Sequence, residues 1–452
     1  MKLKIKIALF LCFGLSQLAT FAQEGELQPI DTLTSSVAGI RQELDVLKRI
    51  KVSGYIQAQF QYADSTGAAQ FSGGTFNAGI DKRIMLRRAR LKVQYDAAPN
   101  DLGISTSQYV LQFDATERGF VIKDLYAKFT DPWSGWFSAT IGNQNRPFGF
   151  EIGYSSSLRE SPERGRMSQI IFPNERDMGA MLTIQGPKTT NWNWLKLEAG
   201  LFNGTGGPDA AGSSPTAVSN TSDYDKRKDL ISHLSMNRSS NSELMKFGLG
   251  VSYYDGGFLF NNDTIFHAGT DSAGVKGYTI ESSVNNKFHT YSERKYIGAD
   301  AQFSIEWLPG MTTLRGEYIQ GDQPGISSST ASPKALGSVP IYKRKFNGAY
   351  FYFLQNILQT PFQAIVKYDW YDPNTDLTGD EIGKSVKAGT VKSGSADLKY
   401  TTIGLGLAYR WDANLKITFY YDMVKNETSN NLSGFTHDLK DNVVTLRAQM
   451  KF

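Results

Sequence analysis

Sixteen segments of this 452-residue chain alternate apolar and polar residues at period two, and the connections between them are short and long almost in turn. The segments lie at about 52–62, 83–95, 105–114, 121–130, 135–142, 178–185, 192–201, 229–237, 244–254, 295–308, 311–320, 345–354, 362–371, 396–411, 413–423 and 442–452. Period two is the signature of a strand with unlike faces. An even number of strands whose short turns all fall on one side is the arrangement of a closed antiparallel barrel. The longer connections run to roughly 24–40 residues, which at such regular intervals is unusual in a compact soluble domain.

Alternation alone does not say which face meets water. On 411–423, Trp411, Ala413, Leu415, Ile417, Phe419, Tyr421 and Met423 share one face, while Asp412, Lys416, Thr418, Tyr420 and Asp422 share the other. A soluble sandwich would bury the first set; a membrane barrel would turn it to lipid. The amino-terminal residues favour the barrel. Lys2, Lys4 and Lys6 precede the apolar run Ile7 to Leu15 and the small-residue spacing Thr20-Phe21-Ala22, the layout of a secretory signal peptide over 1–22. The run is too short for the roughly 20 residues a spanning helix needs. No apolar stretch of that length follows, so a membrane-spanning form must be a barrel in which every backbone group is paired. With the alternation of 442–452 closed by Phe452, the expectation is an all-β fold: a 16-stranded antiparallel transmembrane β-barrel over 51–452, with 442–452 pairing with 52–62. The 22 Tyr, 27 Phe and 7 Trp suit interfacial girdles.

Before the barrel, Leu33, Val37, Ile40, Leu44 and Leu47 step by the spacing of a heptad seam, which predicts a short N-terminal helix within 23–50. Two readings stand: a periplasmic coiled coil of three chains, or one helix folded back on the barrel mouth.

The formal charge of +4 comes largely from the signal segment: without Lys2, Lys4 and Lys6, 45 cations face 44 carboxylates. Nothing in that balance calls for a nucleic-acid partner. The only cysteine, Cys12, lies in the same segment, so disulfide and thiol chemistry are not expected beyond it. His233, His267, His289 and His437 are scattered, and neither an HExxH helix nor a Gly-x-Ser-x-Gly elbow occurs. Neither enzyme activity, nor a cofactor, nor a metal is expected.

Two basic stretches carry more. Arg83-Ile84-Met85-Leu86-Arg87-Arg88-Ala89-Arg90-Leu91-Lys92-Val93, and Gly142-Asn143-Gln144-Asn145-Arg146-Pro147-Phe148-Gly149-Phe150 leading to Ser161-Pro162-Glu163-Arg164, resemble the phosphate-selective porin O and P family, in a Bacteroidota-type form. The resemblance implies a homotrimeric channel in the cell outer membrane with both termini periplasmic, in contact with outer-membrane lipids and lipopolysaccharide. It also implies passage of phosphate or other small anions past arginines at a constriction formed by an inward-folded third loop. Here that loop corresponds to about 143–177, with Arg146, Arg159, Arg164, Arg166 and Arg176. Glu151, Glu160, Glu163, Glu175 and Asp177 match those arginines in number, so loop anchoring by salt bridges competes with anion binding. Arg88, Arg90 and Lys92 share parity on the second strand and should face the lumen, with Lys128, Arg410 and Arg447 among further lumenal cations. Apart from the second-strand cluster, the lumenal charges, those three cations included, are balanced. The function expected is passive diffusion of small polar or ionic solutes; the alternative is a scaffold barrel whose long loops hold a surface or periplasmic protein.

Overall fold

The computed structural model describes residues 29–452 apart from 69–70, 72, 118, 174, 206–222, 224–225, 261, 263, 282–289 and 332–338. The expected signal segment and Cys12 lie outside the described residues. The chain divides into two compact units near residue 50. The first contains helix α1 (Pro29–Leu47), on which Val37, Ile40, Leu44 and Leu47 are all exposed. No helix is long and apolar enough to cross a membrane.

The second unit is a closed antiparallel barrel. Its first nine wall strands are β1 (Ile50–Ala63), β2 (Lys82–Asp96), β3 (Ser107–Thr116), β4 (Gly119–Thr130), β5 (Phe137–Asn145), β6 (Arg176–Gln185), β7 (Leu195–Phe202), β8 (Asp229–Ser239) and β9 (Met245–Phe260). A hairpin follows, β10 (Ile265–Thr270) and β11 (Lys276–Ile280). The wall resumes with β12 (Thr290–Trp307), β13 (Gly310–Gly325), β14 (Ile341–Asn356), β15 (Phe362–Asp372), β16 (Tyr400–Arg410), β17 (Leu415–Asn426) and β18 (Val443–Lys451). All sixteen wall strands fall where the alternation predicts them. β9 pairs directly with β12, so the hairpin is no part of the wall; β10 instead lies parallel to the start of β14 from Ile265↔Ile341 to His267↔Lys343.

Closure is made by β1 and β18, antiparallel from Tyr55↔Lys451 to Ala63↔Val443. Gly54 and Phe452 exchange both backbone hydrogen bonds at 3.0 Å. A Cβ on Gly54 would stand 2.6 Å from the Phe452 ring and from the Arg90 carbonyl, so the seam closes only over a glycine. Gly54→Val is expected to cost about 1–3 kcal/mol through overpacking, read as loss of the heat-resistant compact band in detergent electrophoresis.

Side-chain placement follows parity. Leu111, Leu125, Ile141, Leu182, Leu197, Leu249, Ile297, Phe353, Leu405, Phe419 and Leu446 are exposed on the outside, whereas Gln57, Gln59, Asp114, Asp124, Lys367, Asp369 and Thr418 are buried inside. A wall that is apolar outward and polar inward is stable only with hydrocarbon around it. Strand length varies around the wall: β3, β5, β6 and β7 have 8–10 residues, and β9, β12, β13 and β14 have 16–18.

The connection between β5 and β6 turns into the barrel and carries helix α2 (Arg166–Ile171). Phe148 and Ile152 at its start, with Met167, Ile170, Ile171 and Phe172 in and after α2, form one buried cluster with Phe202, Ile231, Tyr254, Tyr296, Ile319, Phe346 and Tyr371 of the wall. Ring centroids of Phe148, Phe172, Tyr254 and Tyr296 lie 4.9–6.4 Å apart, and such contacts contribute about 0.5–1.5 kcal/mol each beyond burial. The third loop is therefore a packed plug core and not a tethered flap.

Candidate functional site: a lumenal cavity beside the inward loop

The loop enters the lumen through Gly149, whose φ of 59° lies in the left-handed region. Its N–H donates to Ser252 Oγ at 2.8 Å, and the next two N–H groups, of Phe150 and Glu151, donate to Glu317 Oε2 at 3.2 and 3.0 Å. A Cβ on Gly149 would meet Glu317 Oε1 at 1.9 Å, so both its conformation and its clearance require glycine.

The far part of the loop is pinned to the closure seam. Glu163 receives Arg87 of β2 at 2.8 and 3.0 Å, Arg88 of β2 at 2.8 Å, and Arg447 of β18 at 3.0 Å. Arg88 also donates to Gln57 Oε1 at 3.1 Å, and Arg447 to Gln59 Oε1 at 2.9 Å and to the Pro162 carbonyl at 2.6 Å. Gln57 and Gln449 donate to the carbonyls of Ser156 and Ser157 at 2.9 and 2.8 Å. Burial pushes the Glu163 carboxyl up, but Arg87, Arg88 and Arg447 together hold it well below the usual carboxylate range. Two adjacent arginines reach one carboxylate because the inward parity of β2 changes: Arg83 and Met85 contact the inward Gln61 and Gln59, while Arg88 and Arg90 are the inward pair further along. Such a change of parity is what a β-bulge produces.

Other loop carboxylates are engaged as well. Glu160 takes Arg315 at 3.1 Å, Glu151 accepts from the Gly165 N–H at 3.1 Å, and Glu175 takes Arg164 and, at 3.3 Å, Arg176. Burial lowers Arg164 to about 10 against the pull of Glu175, which leaves it charged at neutral pH. Glu163 and Glu160 thus anchor the loop to wall arginines, while Glu151 and Glu175 also bond within the loop.

Beside the loop lies a cavity of about 680 Å³, lined by β2 to β9, by β12 and by loop residues 146–150, 152–156 and 164. The opposite half of the lumen is filled by buried Tyr350, Tyr352, Ile365 and Tyr420. Of the cations expected to line the pore, Arg90, Lys92, Lys128, Arg146, Arg164 and Arg176 reach this cavity. Arg90 pairs with Asp114 at 3.0 Å and Arg176 with Asp124 at 2.9 Å, and Lys196 with Glu198 at 2.8 Å. Arg146 lies over the Phe172 ring at 4.7 Å. Lys92 and Lys128 make no ion pair among the described residues; in the sheet they stand opposite Gln112 and Gln108 of β3.

The remaining candidates lie elsewhere. Arg88 and Arg447 belong to the Glu163 clasp, and Arg166 is held between the rings of Phe71 and Tyr400 at 4.4 and 4.0 Å. Arg159 is buried, with its carbonyl accepting from Lys416 at 3.0 Å. Arg410 is exposed and borders a separate recess near the β12–β13 and β14–β15 turns. Sequence reading missed Arg87 and Lys123. Strict alternation from Lys128 and Asp124 turns Lys123 outward, but the β3–β4 register shifts at Gln112/Phe113 and brings it into the field of Glu175 and Arg176.

No protein-family model matches the chain, and no curated protein sequence does. Solved structures match at the level of fold. The anion-selective porin from Comamonas acidovorans is 10% identical, with a TM-score of 0.50 over 89% of this chain and 99% of that one. The outer membrane channel DcaP of Acinetobacter baumannii is 12% identical, with a TM-score of 0.50 over 89% and 97%. The chain, a closed barrel of sixteen wall strands, shares the fold of these two proteins.

Proposed function

We propose that this protein is an outer-membrane porin through which small polar solutes diffuse passively, with a preference for anions. The observation that carries the reading is the charge of the cavity lining: Arg90, Lys92, Lys128, Arg146, Arg164, Arg176 and Lys196 against Asp124, Glu198 and Asp300. Passage of this kind requires neither nucleophile nor cofactor; it requires a hydrated path whose contacts are weak enough to release the ion. Lys92 and Lys128 supply charge that the wall does not consume, whereas the paired arginines polarise the path and hold its shape. Inorganic phosphate is the first anion to test, on the resemblance of the second strand and third loop to phosphate-selective porins. Short turns then face the periplasm, as do both termini. Reversal potential of single channels in asymmetric potassium chloride, repeated with phosphate, tests the reading: anion preference is expected, strong cation preference rejects it, and absence of conductance favours the scaffold barrel.

We further propose that three copies assemble and that α1 contributes a coil, since its seam residues Val37, Ile40, Leu44 and Leu47 are all exposed. Deleting 24–48 is expected to weaken the trimer in native electrophoresis without loss of the barrel. An unchanged trimer would place assembly on the wall alone.

A further inference from the structure

The two sides of the lumenal cavity differ in chemistry. β3 to β9 separate β2 from β12, so in a wall of sixteen strands Arg90 and Lys92 lie across the lumen from Asp300 and Gln302. On the β12 side the inward positions of β9 are Gly248 and Gly250, in register with Asn237 and Ser235 of β8 and with Gln302 and Asp300 of β12. A Cβ on Gly250 would stand 2.4 Å from His233 Nε2 and 2.3 Å from Asp300 Oδ2; one on Gly248 would stand 2.7 Å from Asn237 Oδ1 and 2.5 Å from Gln302 Oε1. The two glycines therefore make room for side chains of the flanking strands to fold in over β9 as one polar shelf.

The shelf presents hydrogen-bonding groups more than charge. Both oxygens of Asp300 are engaged, Oδ1 by Gln302 Nε2 at 2.7 Å and Oδ2 by His233 Nε2 at 3.1 Å, and only 3% of its side chain is exposed. The Asn237 and Gln302 side-chain oxygens converge on the space above Gly248, at the cavity lining. Ser235, in the next row, is more than nine-tenths buried, and its Oγ has no hydrogen-bond partner among the described residues. This side thus holds hydrogen-bonding capacity that the fold does not use, and a solute hydroxyl, both donor and acceptor, suits paired amides.

We infer that the cavity takes hydroxylated organic anions, phosphate monoesters of sugars and polyols in chemical class, with the phosphate on the β2 side and the hydroxylated body on the shelf of β8, β9 and β12. The inference rests on the proposed anion path and narrows its solute. Inorganic phosphate needs only the cations and fills a small part of the space, whereas about 680 Å³ lies within the roughly 300–1,000 Å³ that holds a small organic ligand. Cations on one side and amides on the other match a solute whose two ends differ in the same way.

The test measures block of the potassium chloride current through the full-length protein in planar bilayers by glucose 6-phosphate and by cyclohexyl phosphate, which carry the same charge and differ in hydroxyls. Glucose 6-phosphate is expected to half-block at about one-tenth the concentration, the effect of roughly two net hydrogen bonds. Asn237→Ala/Gln302→Met removes both amides and should bring the two solutes within about twofold of each other. Any change in the field of Asp300 acts on both probes alike, and heat-modifiable mobility reports that the variant is folded. Equal block of the wild type by the two solutes overturns the inference without any variant. So does block as strong by inorganic phosphate or uncharged glucose, or stronger block by O-phosphoethanolamine, which would assign the shelf to an ammonium group. Strong cation preference in potassium chloride alone rejects the anion path and this inference with it; anion preference with equal block rejects the inference only.

Discussion

Glu163→Gln is expected to destabilise the folded barrel by about 3–5 kcal/mol, because it leaves buried Arg88 and Arg447, with half-buried Arg87, facing a neutral amide. Arg87, Arg88 and Arg447 all converge on this carboxylate within 3.0 Å. Urea titration in detergent should show an earlier midpoint, and planar bilayers should show larger, noisier conductance as residues 156–163 leave the seam. The pH dependence has a definite sign. A carboxylate held below its unfolded value stabilises the fold fully above that value, about 4.3, and loses the contribution only as pH falls through the depressed native value. Since Glu163 is held well below the ordinary range, the clasp should survive mild acid such as pH 5, and conductance there should match that at pH 7. Channel opening between those values would show that the clasp is not what holds the loop.

Lys92→Gln/Lys128→Gln should leave folding intact and lower the ratio of anion to cation permeability about tenfold, taking roughly 0.7–1 kcal/mol per charge in a water-filled lumen. Both lysines line the cavity and neither has an ionic partner among the described residues. Arg88→Gln should do the reverse: a weaker barrel with nearly the same reversal potential, since Arg88 bonds Glu163 and Gln57 away from the cavity. The comparison separates selectivity from support. An unchanged reversal potential in the lysine variant would remove these two residues from the path.

The wall was legible in the sequence because lipid on one side and water on the other impose period two on every strand. The same rule explains the misses. The β10–β11 hairpin lay within a segment read as loop, for its strands are five and six residues long and depend on distant support. Phe266 and Tyr278 pack on Tyr342, and the Tyr278 hydroxyl donates to Asp397, which Arg344 also meets at 2.8 Å. Helix α2 has six residues and no side-chain cap, so the aromatic cluster, not local propensity, keeps it helical. Loop anchoring was foreseeable from the matched charges, but its partners were not: Glu163 meets Arg447 from 284 residues away, and a linear reading cannot say which carboxylate meets which arginine.

That separation bears on how the barrel forms. The clasp draws on β2, made early, and β18, made last, so the third loop cannot dock fully until the closing strand has arrived. Contacts this distant in sequence are slow to form. A barrel stalled before closure would hold Arg87, Arg88 and Glu163 without their last partner and leave residues 156–163 open to proteolysis. Protection of that segment during refolding therefore serves as a clock for completion of the wall.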